Sequence, residues 1–307
     1  MKQIRKMRQN FVKNGKKRRK WIGLFFVLPW IIGFVVFSAY PLLSAVMYSF
    51  TNFQMGSTPK FTGLYNYIRM FTRDVDFYHS LGVTLNYAIV SIVLKLLVAL
   101  GIAMLLNLKL PFKGFYRAVF YLPSIFGGSV AISMLWRMMF GYSGLINSIL
   151  GIFGVEPIPW LTDTGYALYT VSFVNVWMFG SSMVLFLAAL KDVPTHLYEA
   201  AKIDGANSVK CFFHITLPMI SPIFLFNLVM QTINAFQEFT GAFTIPTTPG
   251  GPMKSTYLFS IKIYQHAFGN YEMGYACALS MVLFLIIFLF TLVIQMSSKK
   301  WVFYADE

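Results

Sequence analysis

Polar side chains that could bind a ligand stand near the end of an apolar segment at residues 219–240. Gln231, Asn234 and Glu238 are spaced so that an α-helix would place them on one face. Amide and carboxylate groups hydrogen-bond hydroxyl groups, and nearby aromatic rings can cover the apolar face of a sugar ring. The same polar groups would equally serve as contacts between packed helices. Both interpretations stay open from the residues alone.

Motifs for covalent or phosphoryl chemistry are absent from the sequence. It contains no H-E-x-x-H, no G-x-S-x-G and no phosphate-binding G-x-x-x-x-G-K-[ST], and its four His are scattered over external and internal loops. We therefore expect no catalytic residue, no metal site and no nucleotide site in this chain. Any energy that it uses must come from a partner or from an ion gradient.

The composition indicates the surroundings of these polar side chains. Of 307 residues, 57% are hydrophobic, 18% are aromatic and 12% are charged. In an ordinary soluble domain about a quarter of the residues are charged. The chain has too little polar surface to cover a water-soluble core of this size, so the composition indicates a polytopic membrane protein.

Six apolar segments are long enough to cross about 30 Å of hydrocarbon, which takes about 20 helical residues. Pro29 and Pro41 lie in the first of them and should bend it or end a turn. We expect an all-α integral membrane protein with six transmembrane helices at Ile22–Phe50, Leu81–Leu108, Ala118–Phe140, Tyr166–Leu190, Met219–Thr240 and Gly274–Met296.

Basic residues predict how these spans are oriented. Ten of the 25 Lys and Arg lie within residues 1–21, where there is no acid. The rest of the chain contains the other 15 together with all 11 Asp and Glu. A basic tail before an apolar run predicts a cytoplasmic N-terminus beside anionic lipid and argues against nucleic-acid binding. Alternation then predicts a cytoplasmic C-terminus. Only the first external loop, with Lys60, Arg69 and Arg73, fits poorly.

The predicted organisation has three parts: a basic cytoplasmic tail at residues 1–21, a transmembrane domain at 22–300 and a cytoplasmic tail at 301–307. The apolar run after the basic tail is longer than a signal-peptide core of about 7–15 residues, so we expect it to be retained. Within the domain, residues 191–218 fall on the cytoplasmic side. They are too polar to span the membrane and too apolar to be a plain linker.

This cytoplasmic segment predicts a helix–turn–helix. Pro194 suits the first turn of a helix, and Gly205 can adopt the left-handed conformation that ends it. Asn207 or Ser208 can cap a second helix, which Pro218 should stop. Small residues on the first helix permit close approach by another protein. An amphipathic connector on the membrane surface explains the geometry equally well.

The residue pattern of this segment resembles the E-A-A loop of membrane subunits of binding-protein-dependent ATP-binding-cassette (ABC) importers. Glu199-Ala200-Ala201 is followed after three residues by Gly205, and after nine more by Ile215-x-Leu217-Pro218. Other stretches resemble the sugar-importer branch, of the maltose and glycerol-phosphate type, over nearly the whole chain after residue 21. They are Tyr40–Leu43, Tyr121–Pro123, Asn175-x-Trp177, Leu197-Tyr198, Ile203–Ala206 and Gly250–Pro252.

The resemblance implies the translocation subunit of a type I ABC importer for carbohydrate in a prokaryotic plasma membrane. In this family the loop forms a coupling helix that sits in a cleft of a separate ATPase, which binds ATP and Mg²⁺. The implied partners are that ATPase as a dimer, a second homologous permease subunit, an extracellular or periplasmic sugar-binding protein and membrane lipid. The residues implied in coupling are Glu199, Ala200, Ala201, Asp204 and Gly205.

The resemblance also implies a substrate pocket on the fourth and fifth spans. By this resemblance the chain itself is not an enzyme and holds no cofactor. Glu238 favours a neutral sugar over glycerol phosphate, for which a basic pocket would be expected. The residues implied in binding are Asn175, Trp177, Gly180, Gln231, Asn234, Gln237 and Glu238.

Other functions stay open beside this one. A glycerol-phosphate permease is the alternative within the family. An ion-coupled secondary transporter would need charges deep in the membrane, where only Lys95 and Glu238 could serve. A membrane scaffold without transport is the third possibility. For Lys95, whose insertion costs about 2.5–3.5 kcal/mol, we expect a structural role, and for Arg137 we expect contact with lipid headgroups.

Overall fold

The structure is a computed structural model that describes residues 25–108 and 111–304. In these ranges the chain folds into helices and loops, with one isolated antiparallel bridge between Thr51 and Phe61. The predicted all-α class is confirmed. The basic tail, Lys109 and the last three residues of the predicted C-terminal tail lie outside the described residues.

The helices are numbered α1 to α14 along the described ranges. They are α1 Phe25–Ser49, α2 Tyr65–Thr72, α3 Val75–Asn107, α4 Lys113–Phe126, α5 Val130–Met139, α6 Leu145–Ile152, α7 Ala167–Trp177, α8 Gly180–Asp192, α9 Thr195–Ile203, α10 Ser208–Met219, α11 Ser221–Phe236, α12 Thr240–Thr244, α13 Phe259–Tyr264 and α14 Met273–Ser298.

Three helices, α1, α3 and α14, are each long and apolar enough to cross a membrane. Three further stretches pass the same test only as bent pairs: α4 with α5, α7 with α8, and α10 with the stretch from α11 to α12. Their bends are 106°, 48° and 69°. Counting each bent pair as one span gives six spans, the number that the apolar segments predict.

Two of the predicted spans differ in the structure for local reasons, one in where it begins and one in being bent. α3 begins at Val75 rather than Leu81, because the Asp74 side chain accepts a hydrogen bond from the Asp76 amide and caps the helix. The third apolar segment is not straight, because the chain turns between α4 and α5, where Gly128 has a φ of +77°.

Prolines are accommodated by widened turns. A π-helical turn at Val35–Ala39 precedes Pro41, and another at Phe212–Thr216 precedes Pro218. The helix that contains Pro218 ends at Met219, one residue after the predicted stop.

α3 is the central helix of the bundle. It packs against α7, α8 and α11, and α14 packs against α11 and α1. Buried apolar side chains form one cluster that includes Tyr87 and Trp136, and another that includes Leu96 and Phe186. We call the half with the first cluster the outer half, because the charge pattern predicts that it faces outwards.

Ion pairs join distant parts of the chain at the outer end. Lys262 Nζ lies 2.7 Å from Asp74 Oδ1, and the Tyr275 hydroxyl donates to the other carboxylate oxygen of Asp74. Arg69 donates two hydrogen bonds to Glu272, at 2.9 and 3.1 Å. Arg69 is one of the basic residues that fit the orientation rule poorly, and this pairing gives it a structural role outside the membrane.

Arg137 also has a partner within the chain. Its Nη2 donates to the backbone oxygen of Thr247 at 3.3 Å, which ties α5 to the connection after α12. The residue is otherwise exposed, and its expected contact with lipid headgroups stays a prediction.

Candidate functional site

A small cavity lies in the outer half of the bundle, between α3, α5, α7 and the start of α12. Its volume is about 20 Å³, which is room for one water molecule. The polar and aromatic side chains in its wall are Tyr87, Ser133, Trp136, Asn175, Trp177 and Glu238.

A chain of hydrogen bonds runs along one side of this cavity. Lys95 Nζ donates to Asn175 Oδ1 at 3.2 Å, and Asn175 Nδ2 donates to Glu238 Oε2 at 3.3 Å. The other carboxylate oxygen of Glu238 accepts from the Gly241 amide at 2.7 Å. The ammonium and the carboxylate are thus joined through a neutral amide, and together these groups connect α3, α7 and α12.

The break between α7 and α8 positions Asn175 and Trp177. Gly180, the first residue of α8, is fully packed, since a Cβ there would lie 2.6 Å from the Phe120 oxygen and 2.8 Å from Tyr121 Cα. A glycine at this point lets α8 approach the backbone of α4. Gly180 therefore has a packing role in this structure, and it does not line the cavity; its role in binding stays a prediction.

Aromatic rings form the apolar wall of the cavity. Trp136 and Trp177 meet edge to face with their ring centroids 5.3 Å apart, and Phe140 stacks on Trp136 at 5.6 Å. The cavity lining therefore combines hydrogen-bonding groups with aromatic rings. This combination suits a ligand that carries hydroxyl groups on an apolar ring.

The expected polar face of α11 does not form. α11 ends at Phe236, so Glu238 lies beyond the helix and turns towards Asn175. Gln231 is buried and donates to Ser182 Oγ at 3.0 Å, which is a contact between α11 and α8. Asn234 and Gln237 do not line the cavity. Of the predicted binding residues, the structure gathers only Asn175, Trp177 and Glu238.

Two residues stand at the site in addition to those that the sequence predicted. Tyr87 is fully buried in the cavity wall, and its hydroxyl has no hydrogen-bond partner among the described residues. Lys95, for which the sequence indicates a structural role, contacts Asn175 directly. The signal that could have found them is the same for both, namely a polar group within an apolar span, where such groups are costly and often functional.

The predicted helix–turn–helix is confirmed at residues 191–218. Pro194 precedes α9, Gly205 has a φ of +75° after its end, and Asn207 Oδ1 accepts from the Lys210 amide at 2.8 Å. α9 has no buried residue. Of the predicted coupling residues, Glu199, Ala200, Asp204 and Gly205 are exposed, and Ala201 is half-buried.

This loop is attached to the bundle at its ends. The Tyr198 and Thr216 hydroxyl oxygens lie 2.9 Å apart in a hydrogen bond between α9 and α10. Val193 and Ile220 are buried in the second apolar cluster, which includes Leu96 and Phe186. Tyr198 and Ile215 also pack against this cluster. The exposed helix α9 is therefore anchored at the end of α8 and at the start of α11.

These features define a class of protein: a helical membrane protein with a small cavity, lined by polar and aromatic side chains, between its spans and an exposed helix–turn–helix at the opposite end. The family model for the binding-protein-dependent transport system inner membrane component matches residues 95–302, more than half of the chain. The chain belongs to this family and is a permease component of an ABC transporter.

Relatives of known name share most of its length. The chain is 45% identical over 286 residues to the probable ABC transporter permease protein YesP of Bacillus subtilis (strain 168), covering 93% of each chain. It is 34% identical over 270 residues to the lactose transport system permease protein LacF of Rhizobium radiobacter, covering 86% of this chain and 90% of that one.

A solved structure has the same fold. It is a chain of the bacterial alginate ABC transporter in complex with an alginate pentasaccharide-bound periplasmic protein. The TM-score is 0.79 at 21% identity, and the match covers 93% of this chain and 96% of the other.

Proposed function

We propose that this chain forms part of the translocation pathway of an ATP-driven importer of carbohydrate. The observation that carries the proposal is the cavity whose lining includes Asn175 and Glu238 together with Trp136 and Trp177. Hydrogen-bonding groups beside aromatic rings suit a sugar. The name of the lactose permease relative supports the same substrate class.

The cavity is too small for a sugar in this conformation. Ligand pockets usually measure about 300–1,000 Å³, whereas the cavity holds about 20 Å³. Binding of a sugar in this cavity therefore requires the lining elements α3, α5, α7 and α12 to move apart. We infer that a partner supplies the free energy for this opening, because the sequence contains no phosphate-binding loop.

The exposed helix α9 is the proposed point of attachment for that partner. Glu199, Ala200, Ala201, Asp204 and Gly205 would contact a separate ATPase that binds ATP and Mg²⁺. The exposure of α9 and its anchoring to α8 and α11 support a lever that passes motion to the spans. This role requires α9 and both termini to lie in the cytoplasm of a prokaryotic cell, which the basic tail favours.

The complete importer would contain three further kinds of chain. A second, homologous permease would close the other side of the pathway, two copies of the ATPase would bind the two coupling helices, and an extracellular or periplasmic binding protein would deliver the sugar. Membership of the maltose and glycerol-phosphate branch stays a prediction. Within it, the carboxylate of Glu238 beside the cavity favours a sugar over glycerol phosphate.

Reconstitution tests the function directly. The chain is placed in proteoliposomes with its second permease and ATPase, and uptake of labelled lactose, maltotriose and arabinotriose is measured with the binding protein outside. We expect uptake with enclosed ATP and none with a non-hydrolysable analogue. Uptake that follows an ion gradient without ATP would instead support a secondary transporter, and a complex that assembles but transports none of these sugars would contradict the proposal.

Two matched glycine variants test the coupling role of α9. Gly205 and Gly154 have φ values of +75° and +76°, and an added Cβ would meet no atom within 4 Å at either position. Valine should therefore cost a similar backbone strain at both sites, about 1–2 kcal/mol. We expect Gly205→Val to abolish ATP-driven uptake and Gly154→Val to retain it. Equal uptake by the two variants would contradict coupling through this loop.

A further inference from the structure

The hydroxyl of Tyr87 is an unexplained polar group in the cavity wall. The residue is fully buried, lines the cavity and makes no hydrogen bond to any described residue. Buried polar groups almost always have a partner, so a hydroxyl without one calls for an explanation. The cavity has room for one water molecule, which can satisfy this hydroxyl while the cavity is small, and a hydroxyl group of a bound ligand would take the place of that water when the cavity opens.

Lys95 and Glu238 fix the orientation of the neighbouring amide. A lysine ammonium only donates hydrogen bonds, and a carboxylate only accepts them. Asn175 lies between the two, so its Oδ1 must face Lys95 and its Nδ2 must face Glu238, as the distances of 3.2 and 3.3 Å show. If the amide were reversed, its donating Nδ2 would meet the Lys95 ammonium and its accepting Oδ1 would meet the Glu238 carboxylate, and neither hydrogen bond could form. The Nδ2 group is thus held as a donor beside the cavity.

We propose that Tyr87 and Asn175 bind one transported ligand together, and that Lys95 is the positioning residue that holds Asn175 in its donating orientation. The inference rests on the proposed transport function and names the groups that recognise its substrate. Tyr87 and Asn175 donate to oxygen atoms of the ligand, and Glu238 accepts from one of its hydroxyl groups.

The charges around the cavity select the class of ligand. The positive charge of Lys95 balances the negative charge of Glu238 across a single amide. An uncharged, hydroxyl-rich ligand leaves this balance intact. A carboxylated or phosphorylated ligand would add an uncompensated negative charge within the membrane, which is costly. The ligand is therefore a neutral saccharide.

The first test removes one hydroxyl group. Tyr87→Phe is compared with Ser91→Ala, which removes a buried hydroxyl one turn further along α3 that bonds to the Tyr87 backbone oxygen and does not line the cavity. We expect Tyr87→Phe to raise the KM for uptake of the best saccharide of the reconstitution panel about three- to tenfold. Ser91→Ala should leave this KM unchanged. An unchanged KM in Tyr87→Phe would overturn its assignment.

The second test asks whether Lys95 acts through Asn175. Lys95→Met should raise the KM about tenfold or more, and Lys95→Arg, which also only donates, should recover most of that loss. In Asn175→Ala, the further change Lys95→Met should have no additional effect on KM, because residues that act as a unit are non-additive. Independent losses in the double variant would overturn the positioning role. If Lys95→Met fails to assemble, Lys95→Arg still tests whether a donor is sufficient at this position, and Tyr87→Phe still tests the assignment of Tyr87.

The third test compares neutral and charged ligands. Unlabelled maltotriose and trigalacturonate compete with the labelled sugar, and we expect inhibition by the neutral compound alone. Equal inhibition by the uronate would overturn the choice of ligand class. If the unmodified complex takes up none of the panel sugars, the proposed function fails. If it transports and Tyr87→Phe matches it, only this inference fails.

Discussion

The outer end of the bundle and the loop at its inner end are built in different ways. At the outer end, Asp74 pairs with Lys262, which is 1% exposed, and Arg69 pairs with Glu272. In the inner loop, α9 has no buried residue, and one side-chain hydrogen bond, Tyr198 to Thr216, joins it to α10.

Polar residues are used in two ways: at the outer end they hold the chain together, and in the inner loop they stay exposed. The charges at the outer end are satisfied within the chain, where they join α2, α3, α13 and the start of α14. The polar residues of α9 face outwards and remain accessible to a second protein. Loss of a charge should therefore reduce stability most at the outer end, whereas changes in the inner loop should affect coupling more than stability.

The largest effect is expected from Lys262→Met. Removing one partner of a buried ion pair costs about 3–5 kcal/mol, because the other charge is left uncompensated. The matched control is Lys254→Met, since Lys254 pairs with Asp76 at 2.6 Å but its side chain is 52% exposed. Pairs at such exposure contribute about 0–1 kcal/mol. Thermal unfolding of the purified variants in detergent measures both, and equal losses would contradict this difference between buried and exposed pairs.

Glu272→Gln should have a smaller effect that depends on pH. Burial raises the pKa of Glu272, but hydrogen bonds from Arg69 and His266 outweigh it, so the pKa lies below its usual value. A lowered carboxyl pKa stabilises the fold above the unfolded value of about 4.3, and this stability is lost as the pH falls through the folded pKa. The variant should lose about 1–2 kcal/mol at pH 7.

Unfolding temperatures of Glu272→Gln and the unmodified chain between pH 7 and pH 3 check this sign. The difference between them should shrink as the pH falls below about 4. Burial lowers the pKa of His266, so the unmodified chain should also begin to lose stability below pH 6.5, the usual value for histidine. A difference that grows in acid would show that Glu272 is not held as a carboxylate.

The smallest effect is expected from Tyr198→Phe in the inner loop. One hydrogen bond contributes about 0.5–1.5 kcal/mol, so global unfolding should change little. Opening of α9 should instead become about two- to twelvefold more frequent, as measured by amide hydrogen exchange of residues 195–211. Tyr40→Phe, which removes an exposed hydroxyl from α1, is the control. An equal change in both variants would show that the bond does not hold the loop.

Local chemistry made much of the fold predictable from sequence. Apolar runs predicted the six spans, and Pro194, Gly205 and Asn207 predicted the boundaries of α9 and α10 because caps and turns depend on neighbouring residues. The bend of 106° after α4 was missed because the residues on both sides of Gly127–Ser129 are apolar, although a pair of glycines is typical of a turn.

The site depended on contacts that a single sequence does not reveal. Lys95 and Asn175 lie 80 positions apart, and their contact follows from the packing of α3 against α7. Helical spacing placed Gln231 and Glu238 on one face, but α11 ends at Phe236 and the two side chains separate. Spacing along a helix predicts neighbours only as far as the helix continues.

The pairing at the outer end sets an order for biosynthesis. Asp74 and Lys262 lie 188 positions apart, and Arg69 and Glu272 lie 203 positions apart. A ribosome must therefore translate most of the chain before either early residue meets its partner. Until the last span enters the bilayer, a nascent permease carries unpaired charges at this end. An incomplete chain therefore differs from a complete one in the unpaired charges that it exposes.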